Sequence, residues 1–161
     1  MSLMMSARNT VKVKDTGWNK LKRTCSKVNE KVVAVGIQGK EAEQDHGGTT
    51  NVLIGSVHEF GAPNKGIPQR SFIRSTETKN RKKYQKELDE AAGKCIDGKD
   101  FEAALLLVGE QFRADIINAI KKGIPPPLSA ATIAKRKGDA TPLWDTGQLV
   151  NSLSAVVRKK K

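Results

Sequence analysis

Few residues of this chain have the type and spacing that chemistry needs. The two histidines, His46 and His58, lie away from both cysteines, so we expect no bound metal. Phosphate-cradling glycine motifs and the serine-nucleophile motif do not occur in the sequence. His58 and Glu59 could act as a general base and its orienting carboxylate, but adjacent residues rarely project towards one substrate. We therefore predict a structural role for this pair, a histidine satisfied at a helix end, and no cofactor.

A second candidate is the triplet Asp145-Thr146-Gly147, which resembles the motif of aspartic proteases, where two carboxylates share a proton. Such proteases are rich in strands, whereas this triplet precedes helix-prone sequence. A helix cap is the better interpretation, because Asp145 or Thr146 can accept hydrogen bonds from the amides of Gln148 and Leu149 while Gly147 allows the tight approach. We predict no catalytic residue.

The charge of the chain is uneven. Its formal net charge is +12. Residues 1–40 carry nine basic and two acidic side chains, residues 131–161 carry seven and two, and residues 41–130 carry thirteen of each. Basic ends indicate contact with nucleic acid, with packaged DNA, or with an acidic protein. The candidates for non-specific contact with DNA are Arg136, Arg158, Lys159, Lys160 and Lys161.

Composition excludes other classes of protein. The apolar stretches are far shorter than the roughly 20 residues of a membrane span, and residues 1–8 lack a signal-peptide core, so we expect no membrane contact and an intracellular product. Cys25 and Cys95, each within a predicted helix, are expected to be reduced thiols. The 161 residues predict one domain, residues 10–158, with an N-terminal arm of residues 1–9 and a basic tail of residues 159–161.

Hydrophobic periodicity predicts an α+β fold, a small, mostly antiparallel sheet packed by two long helices, with basic extended termini. Strands are predicted at 10–14, 31–37 (a central strand) and 154–158. Helices are predicted from Trp18, at 51–60, from Thr76 or Thr78 to Lys94, from a cap at Asp100 to Lys122, from a cap at Ser129, and at 148–153. By periodicity alone, residues 51–60 fit a buried strand as well as a helix with Leu53, Ile54, Val57 and Phe60 on its inward face. The boundaries favour the helix, with Thr50 or Asn51 as its N-cap and Gly61 as a left-handed C-cap.

Three short segments of the sequence are unusual when taken together in their order. The first contains His58, Glu59, Phe60 and Gly61, the second contains Pro68, Arg70 and Phe72, and the third contains Pro142, Leu143, Asp145, Thr146, Gly147 and Leu149. In this order they resemble the neck or tail-completion proteins of tailed bacteriophages, the virion-morphogenesis group. The likeness spans about residues 30–158, including the long helix after Asp100 and the turn at Leu128–Ile133. The sequence departs from the family pattern at Ser71, where proline is expected, and at Trp144, where a smaller aliphatic residue is common.

The resemblance implies structural roles for these residues. Phe60, Phe72 and Leu143 would lie in the core, and Arg70 and Asp145 would be buried or interface polar anchors. Trp144 departs from the pattern, and we expect it at a subunit contact or in the core, because buried aromatic side chains dominate the energetics of both.

It also implies a non-enzymatic virion protein that completes or joins the tail at the head–tail interface. The protein would form a ring of about six copies that meets the connector, the tail terminator and the tail tube, after assembly in the bacterial host cytoplasm. The alternative, supported by charge alone, is a basic nucleic-acid-binding module that acts on free DNA or RNA.

Overall fold

The computed structural model describes residues 17–43, 45, 48–96, 99–135, 141–144 and 146–160. The predicted arm at 1–9 and the predicted strand at 10–14 lie outside these residues, as do Arg136, Asp145 and Lys161.

Six α-helices and two β-strands form in the described residues, which confirms the predicted α+β class. In chain order they are α1 (Trp18–Asn29), β1 (Lys31–Ile37), α2 (Asn51–Phe60), α3 (Ile73–Ile96), α4 (Phe101–Lys121), α5 (Ala130–Lys135), α6 (Gln148–Asn151) and β2 (Leu153–Lys159). Short 3₁₀ turns at Lys40–Ala42 and Pro63–Lys65 flank α2.

The sheet pairs the two strands antiparallel, with Lys31 opposite Lys159 and Ile37 opposite Leu153. Helix α4 packs on both strands, and α3 packs along α4. Close approach of α4 to the sheet depends on Gly109, because a Cβ atom there would lie 2.4 Å from Cγ2 of Val33. The two predicted long helices therefore cover the sheet.

The main core lies between α4, the start of α3 and the segment that leads into β2. Four of its side chains, Phe72, Ile116, Ile120 and Leu153, are at most 1% exposed. The remaining members of this cluster are Ile124, Leu143, Leu149 and Val150. Residues far apart in sequence thus share one apolar interior.

Several helix starts follow the sequence prediction. Thr50 Oγ1 accepts from the Leu53 amide at 3.3 Å, and Asp100 Oδ1 accepts from the amides of Glu102 and Ala103 at 2.9 and 3.2 Å. Ser129 Oγ likewise accepts from the Thr132 amide at 3.2 Å, immediately before α5. These caps confirm the predicted starts of α2, α4 and α5, because each satisfies an amide that the helix itself leaves unpaired.

The inward face of α2 differs from the prediction. Leu53 is 54% exposed and Phe60 is 64% exposed, so the expectation that these two side chains point inward is wrong. Ile54 does pack against the core, and Val57 is half-buried. The core position that the resemblance implied for Phe60 is therefore also wrong.

The buried face of α2 instead carries Asn51, Gly55 and Glu59, at intervals of one helical turn. Gly55 lies directly under Ile37, where a Cβ atom would be 2.1 Å from that side chain. Asn51 Nδ2 donates to the carbonyl of Glu41 at 2.8 Å. Close packing and hydrogen bonding, rather than hydrophobicity, determine which side of α2 faces inward.

The start of α3 is also corrected. The helix begins at Ile73, so neither Thr76 nor Thr78 caps it. Thr76 is buried one turn inside the helix, and its hydroxyl donates to the carbonyl of Phe72 at 2.7 Å. Gly61 ends α2 with φ 79° and ψ 164°, a conformation available to glycine but different from the predicted left-handed cap.

Two glycine substitutions test the packing of α4 on the sheet. We expect Gly109→Ala to destabilise the protein by about 1–3 kcal/mol, because the added methyl group overpacks against Val33. Gly93→Ala is the matched control, since nothing lies within 4 Å of the added atom in α3, and alanine should stabilise the helix by about 0.5–1 kcal/mol. Urea unfolding followed by circular dichroism measures both, and a gain in stability for Gly109→Ala would contradict the packing.

Candidate functional site

The most chemically suggestive group in the described structure is the carboxylate of Glu59, which is buried at 5% exposure. Its oxygens accept from the amides of Phe72, Ile73 and Arg74 at 2.8, 2.9 and 3.1 Å. The hydroxyl of Ser71 donates at 2.6 Å, and Nε of Arg74 donates at 3.0 Å. One carboxylate of α2 therefore caps the first turn of α3.

Electrostatics keep Glu59 ionised. Burial alone would raise its pKa, but the hydrogen bonds from Ser71, Ile73 and Arg74 outweigh burial and hold the pKa below its usual value of 4.5. The positive end of the α3 dipole also favours a negative group at this place. A carboxylate has about four lone-pair sites, and these donors occupy them. Glu59 is thus held as an ionised cap on the first turn of α3.

His58 and Gly61 connect the first segment of the resemblance, residues 58–61, to the second segment, residues 68–72. The carbonyl of His58 accepts from the Arg70 amide at 2.7 Å, and that of Glu59 accepts from Nε2 of Gln69 at 3.1 Å. Gly61 is required because a Cβ atom there would meet the Gln69 amide nitrogen at 3.0 Å. The two motifs therefore run side by side.

Phe60 and Pro68 lie at the surface of this pair of segments. The guanidinium of Arg74 sits 4.7 Å from the centroid of the Phe60 ring, a cation–π contact on an otherwise exposed ring. Arg74 therefore links the buried cap to the surface aromatic ring.

Arg70 is the buried polar anchor that the resemblance implied, at 5% exposure. Its Nε donates to the carbonyl of Pro126 at 2.7 Å, and Nη2 donates to that of Pro127 at 3.0 Å. The planar guanidinium suits such paired recognition. The Arg70 side chain therefore fixes the prolines that follow α4 to the second segment.

The third segment joins the same core. Pro142, Leu143 and Leu149 are buried, and Leu143 has the left-handed φ of 67°. Trp144 is half-buried against the core, with Nζ of Lys121 5.4 Å from its ring centroid. Phe72 and Leu143 therefore hold the core positions that the resemblance implied.

The proposed helix cap at the Asp-Thr-Gly triplet is present in part. Gly147 occupies the N-cap of α6 with φ 78°, and Thr146 Oγ1 accepts from the Gln148 amide at 3.5 Å, a long hydrogen bond. Asp145 lies outside the described residues. The sequence holds a second copy of the triplet, residues 15–17, and Gly17 likewise occupies the N-cap of α1. Both copies therefore lead into a helix.

The basic candidates that are described lie at the end of β2. Arg158 and Lys159 belong to the strand, which extends past the predicted boundary at 158, and both are exposed. The amide of Lys160 donates to the carbonyl of Glu30 at 2.7 Å. Arg136 and Lys161 lie outside the described residues.

Sequence reasoning missed two polar anchors. Arg113 Nε donates to the carbonyl of Leu153 at 2.7 Å and so fixes the start of β2. Asp115 of α4 accepts from Nζ of Lys83 at 2.8 Å and from the hydroxyl of Tyr84 at 2.9 Å. Burial and the Asp115 carboxylate raise the pKa of Tyr84 well above its usual value. No periodic pattern in the sequence marks either anchor, since both depend on contacts between distant elements.

Across the described ranges, no group of three His, Cys, Asp or Glu side chains is placed to hold a metal ion. The same part of the chain contains no helix that is both long and apolar enough to cross a membrane. No protein-family model matches the chain, and no curated protein or solved structure matches it either.

Substitution of Glu59 tests the cap. We expect Glu59→Gln to destabilise the protein by about 2–3 kcal/mol, because the amide group places its own hydrogens against the donors of α3 and removes the charge. Glu90→Gln on the exposed face of α3 is the control and should change stability little. Chemical denaturation at neutral pH measures the difference, and equal stabilities for the two variants would contradict the assigned role.

The same carboxylate predicts an acid dependence. Because the folded pKa of Glu59 lies below 4.5, its contribution is fully present above that pH and is lost as the pH falls through the folded pKa. The free energy of unfolding of the wild type should therefore decline more steeply on acidification than that of Glu59→Gln. Parallel slopes for the two proteins would show that Glu59 is not the responsible group.

Proposed function

We propose that this protein is a structural, non-enzymatic part of a tailed-phage virion that completes or joins the tail at the head–tail interface. The observation that carries the proposal is the use of Glu59, whose carboxylate is consumed in capping α3. In an enzymatic role, this side chain would be the carboxylate that orients His58 as a general base, but its surroundings favour a structural role.

The three segments behind the resemblance support the same reading. Phe72, Leu143 and Leu149 pack in one core, while Arg70 ties the second segment to the prolines that follow α4. Residues of the motifs thus maintain a shape. In our proposal, neighbouring subunits bury the remaining surface of this structural protein and so stabilise the assembly.

The surface offers apolar area for such neighbours. Single exposed apolar side chains are normal on monomeric proteins, whereas large contiguous patches of them mark interaction sites. In our proposal, copies of the chain form a ring of about six that meets the connector, the tail terminator and the tail tube in the virion. The most exposed apolar side chains here are Leu107, Phe60, Trp18, Ile96 and Leu53.

A nucleic-acid-binding module acting on free DNA or RNA is the second candidate, favoured by the net charge of +12. Such a module would bind with a dissociation constant on the order of 10⁻⁸ M or tighter at physiological salt. The assembly proposal expects the isolated subunit to bind weakly, with a constant of roughly 10⁻⁴ to 10⁻⁶ M. A gel-shift titration in salt separates the two.

Deletion of the gene tests the assembly proposal directly. In the phage or prophage that encodes this chain, we expect particles made without the protein to accumulate as separate DNA-filled heads and tails. Electron microscopy of the lysate distinguishes these from intact virions, and supplying the wild-type protein in trans should restore joining. Intact virions in the absence of the protein would overturn the proposal.

Complementation with His58→Ala combined with Asp145→Asn separates assembly from catalysis. These are the residues that an enzymatic reading requires, and we expect the double variant to restore virions if it folds. Folding is checked by circular dichroism of the purified variant. A folded double variant that leaves heads and tails apart would favour a chemical role.

A further inference from the structure

Described residues from both basic ends of the sequence meet at one end of the folded molecule. Antiparallel pairing sets Lys31 opposite Lys159, and the Lys160 amide donates to the carbonyl of Glu30 at 2.7 Å. Helix α1 ends at Asn29, so its last turn lies beside the end of β2. Residues from opposite ends of the sequence therefore form one surface, which we call the basic end, made of residues 20–31 and 158–160.

Most of the molecule's excess charge lies there. The basic end holds eight Lys and Arg side chains and one acidic residue, Glu30, whereas the whole chain has a net charge of +12. Among the described residues, Lys31 is the member of this set with a carboxylate in salt-bridge distance, at 2.7 Å from Glu102. The basic residues of this surface are Lys20, Lys22, Arg23, Lys27, Lys31, Arg158, Lys159 and Lys160.

Helix α1 presents these charges in a row. Lys20, Arg23 and Lys27 recur at three- and four-residue steps, so they share one face of the helix, with Thr24 beside them. None of the twelve residues of α1, all of which are described, is fully buried. From Lys20 to Lys27 the row spans about 10 Å along the helix axis.

The apolar side of α1 faces the protein only in part. Cys25 and Val28 line a cleft together with Ala92 and Ile96 of α3, whereas Trp18 and Leu21 on the same side are 62% and 36% exposed. On the helical wheel this side lies opposite the row of cations. Because an amphipathic helix can lay an exposed apolar side in a membrane, vesicle binding is measured below as a rival outcome.

We infer that the basic end binds the phosphate backbone of double-stranded DNA without reading its base sequence. Lysine, arginine and threonine are typical phosphate-contacting side chains. Duplex DNA presents one negative charge per roughly 1.7 Å of its axis, so a row of this length can meet several phosphates. The row itself carries no aromatic ring on which an unpaired base could stack, and the exposed ring of Trp18 lies on the opposite side of α1, 5.3 Å from Nζ of Lys22. This arrangement favours a duplex over a single strand.

The inference rests on the proposed function in one respect, the place in the virion where this surface would meet DNA, because packaged DNA passes the head–tail interface. Copies in a ring would each contribute a basic end, so weak contacts by single subunits would add. The gene deletion tests the setting, and the binding experiment below tests the surface. Either result can therefore fail while the other stands.

The experiment measures binding of the full chain to a fluorescein-labelled duplex of mixed sequence by anisotropy over a salt series. The triple variant Lys20→Gln, Arg23→Gln, Lys27→Gln should bind more weakly to two unrelated sequences alike. Its plot of log affinity against log salt concentration should be shallower than that of the wild type by about 3.

A charge-matched control uses Lys65→Gln, Lys79→Gln and Lys122→Gln. All three side chains are exposed, and Lys79 lies about 25 Å along α3 from the helix end that contacts α1. This control should keep the wild-type salt slope. A second variant, Arg158→Gln with Lys160→Gln, tests the β2 side of the basic end should the α1 variant lose its helix content.

Three outcomes would overturn the inference. They are equal weakening by the control triple, absence of duplex binding at low salt, and tighter binding to vesicles of anionic phosphatidylglycerol or to single-stranded RNA than to duplex DNA. A shallower salt slope in the α1 or β2 variants, with the control unchanged, would support it.

Discussion

The structure depends on a single carboxylate that solves two problems of burial at once. An ionised glutamate removed from water is unstable unless donors surround it, and the first amides of a helix are left without partners inside that helix. Glu59 and the start of α3 satisfy each other. Because the donors are backbone amides at fixed positions, the contact fixes the position of the end of α2 relative to the start of α3.

This contact places the hydrophobic core as well. The amide of Phe72 belongs to the cap, and its side chain is fully buried in the core cluster that also contains Ile116 of α4 and Leu143 of the third segment. Arg70, two residues earlier, reaches the carbonyls that follow α4. Segments that lie far apart in sequence are thus connected by one polar cap, one buried aromatic ring and one guanidinium. This arrangement supports a structural role for the three segments.

Local signals in the sequence predicted most elements but not the contacts between them. The start of α4 follows from Asp100 and its apolar spacing, both of which act within one helix. The inward face of α2 and the start of α3 do not follow, because a buried Glu59 reads as a surface residue until its donors are known. Arg113 is invisible for the same reason, since its acceptor at Leu153 lies forty positions away.

The basic end shows a constraint that works against folding. Like charges gathered on one surface repel each other, and within the described residues the carboxylate of Glu102 faces one of them, Lys31. Hydrophobic packing cannot account for the cluster, because no residue of α1 is fully buried. A polyanion laid across the surface would relieve the repulsion, so binding and stability would rise together. The same chain therefore uses one acidic group to close its core, while the cations of the basic end form the surface that we propose meets DNA.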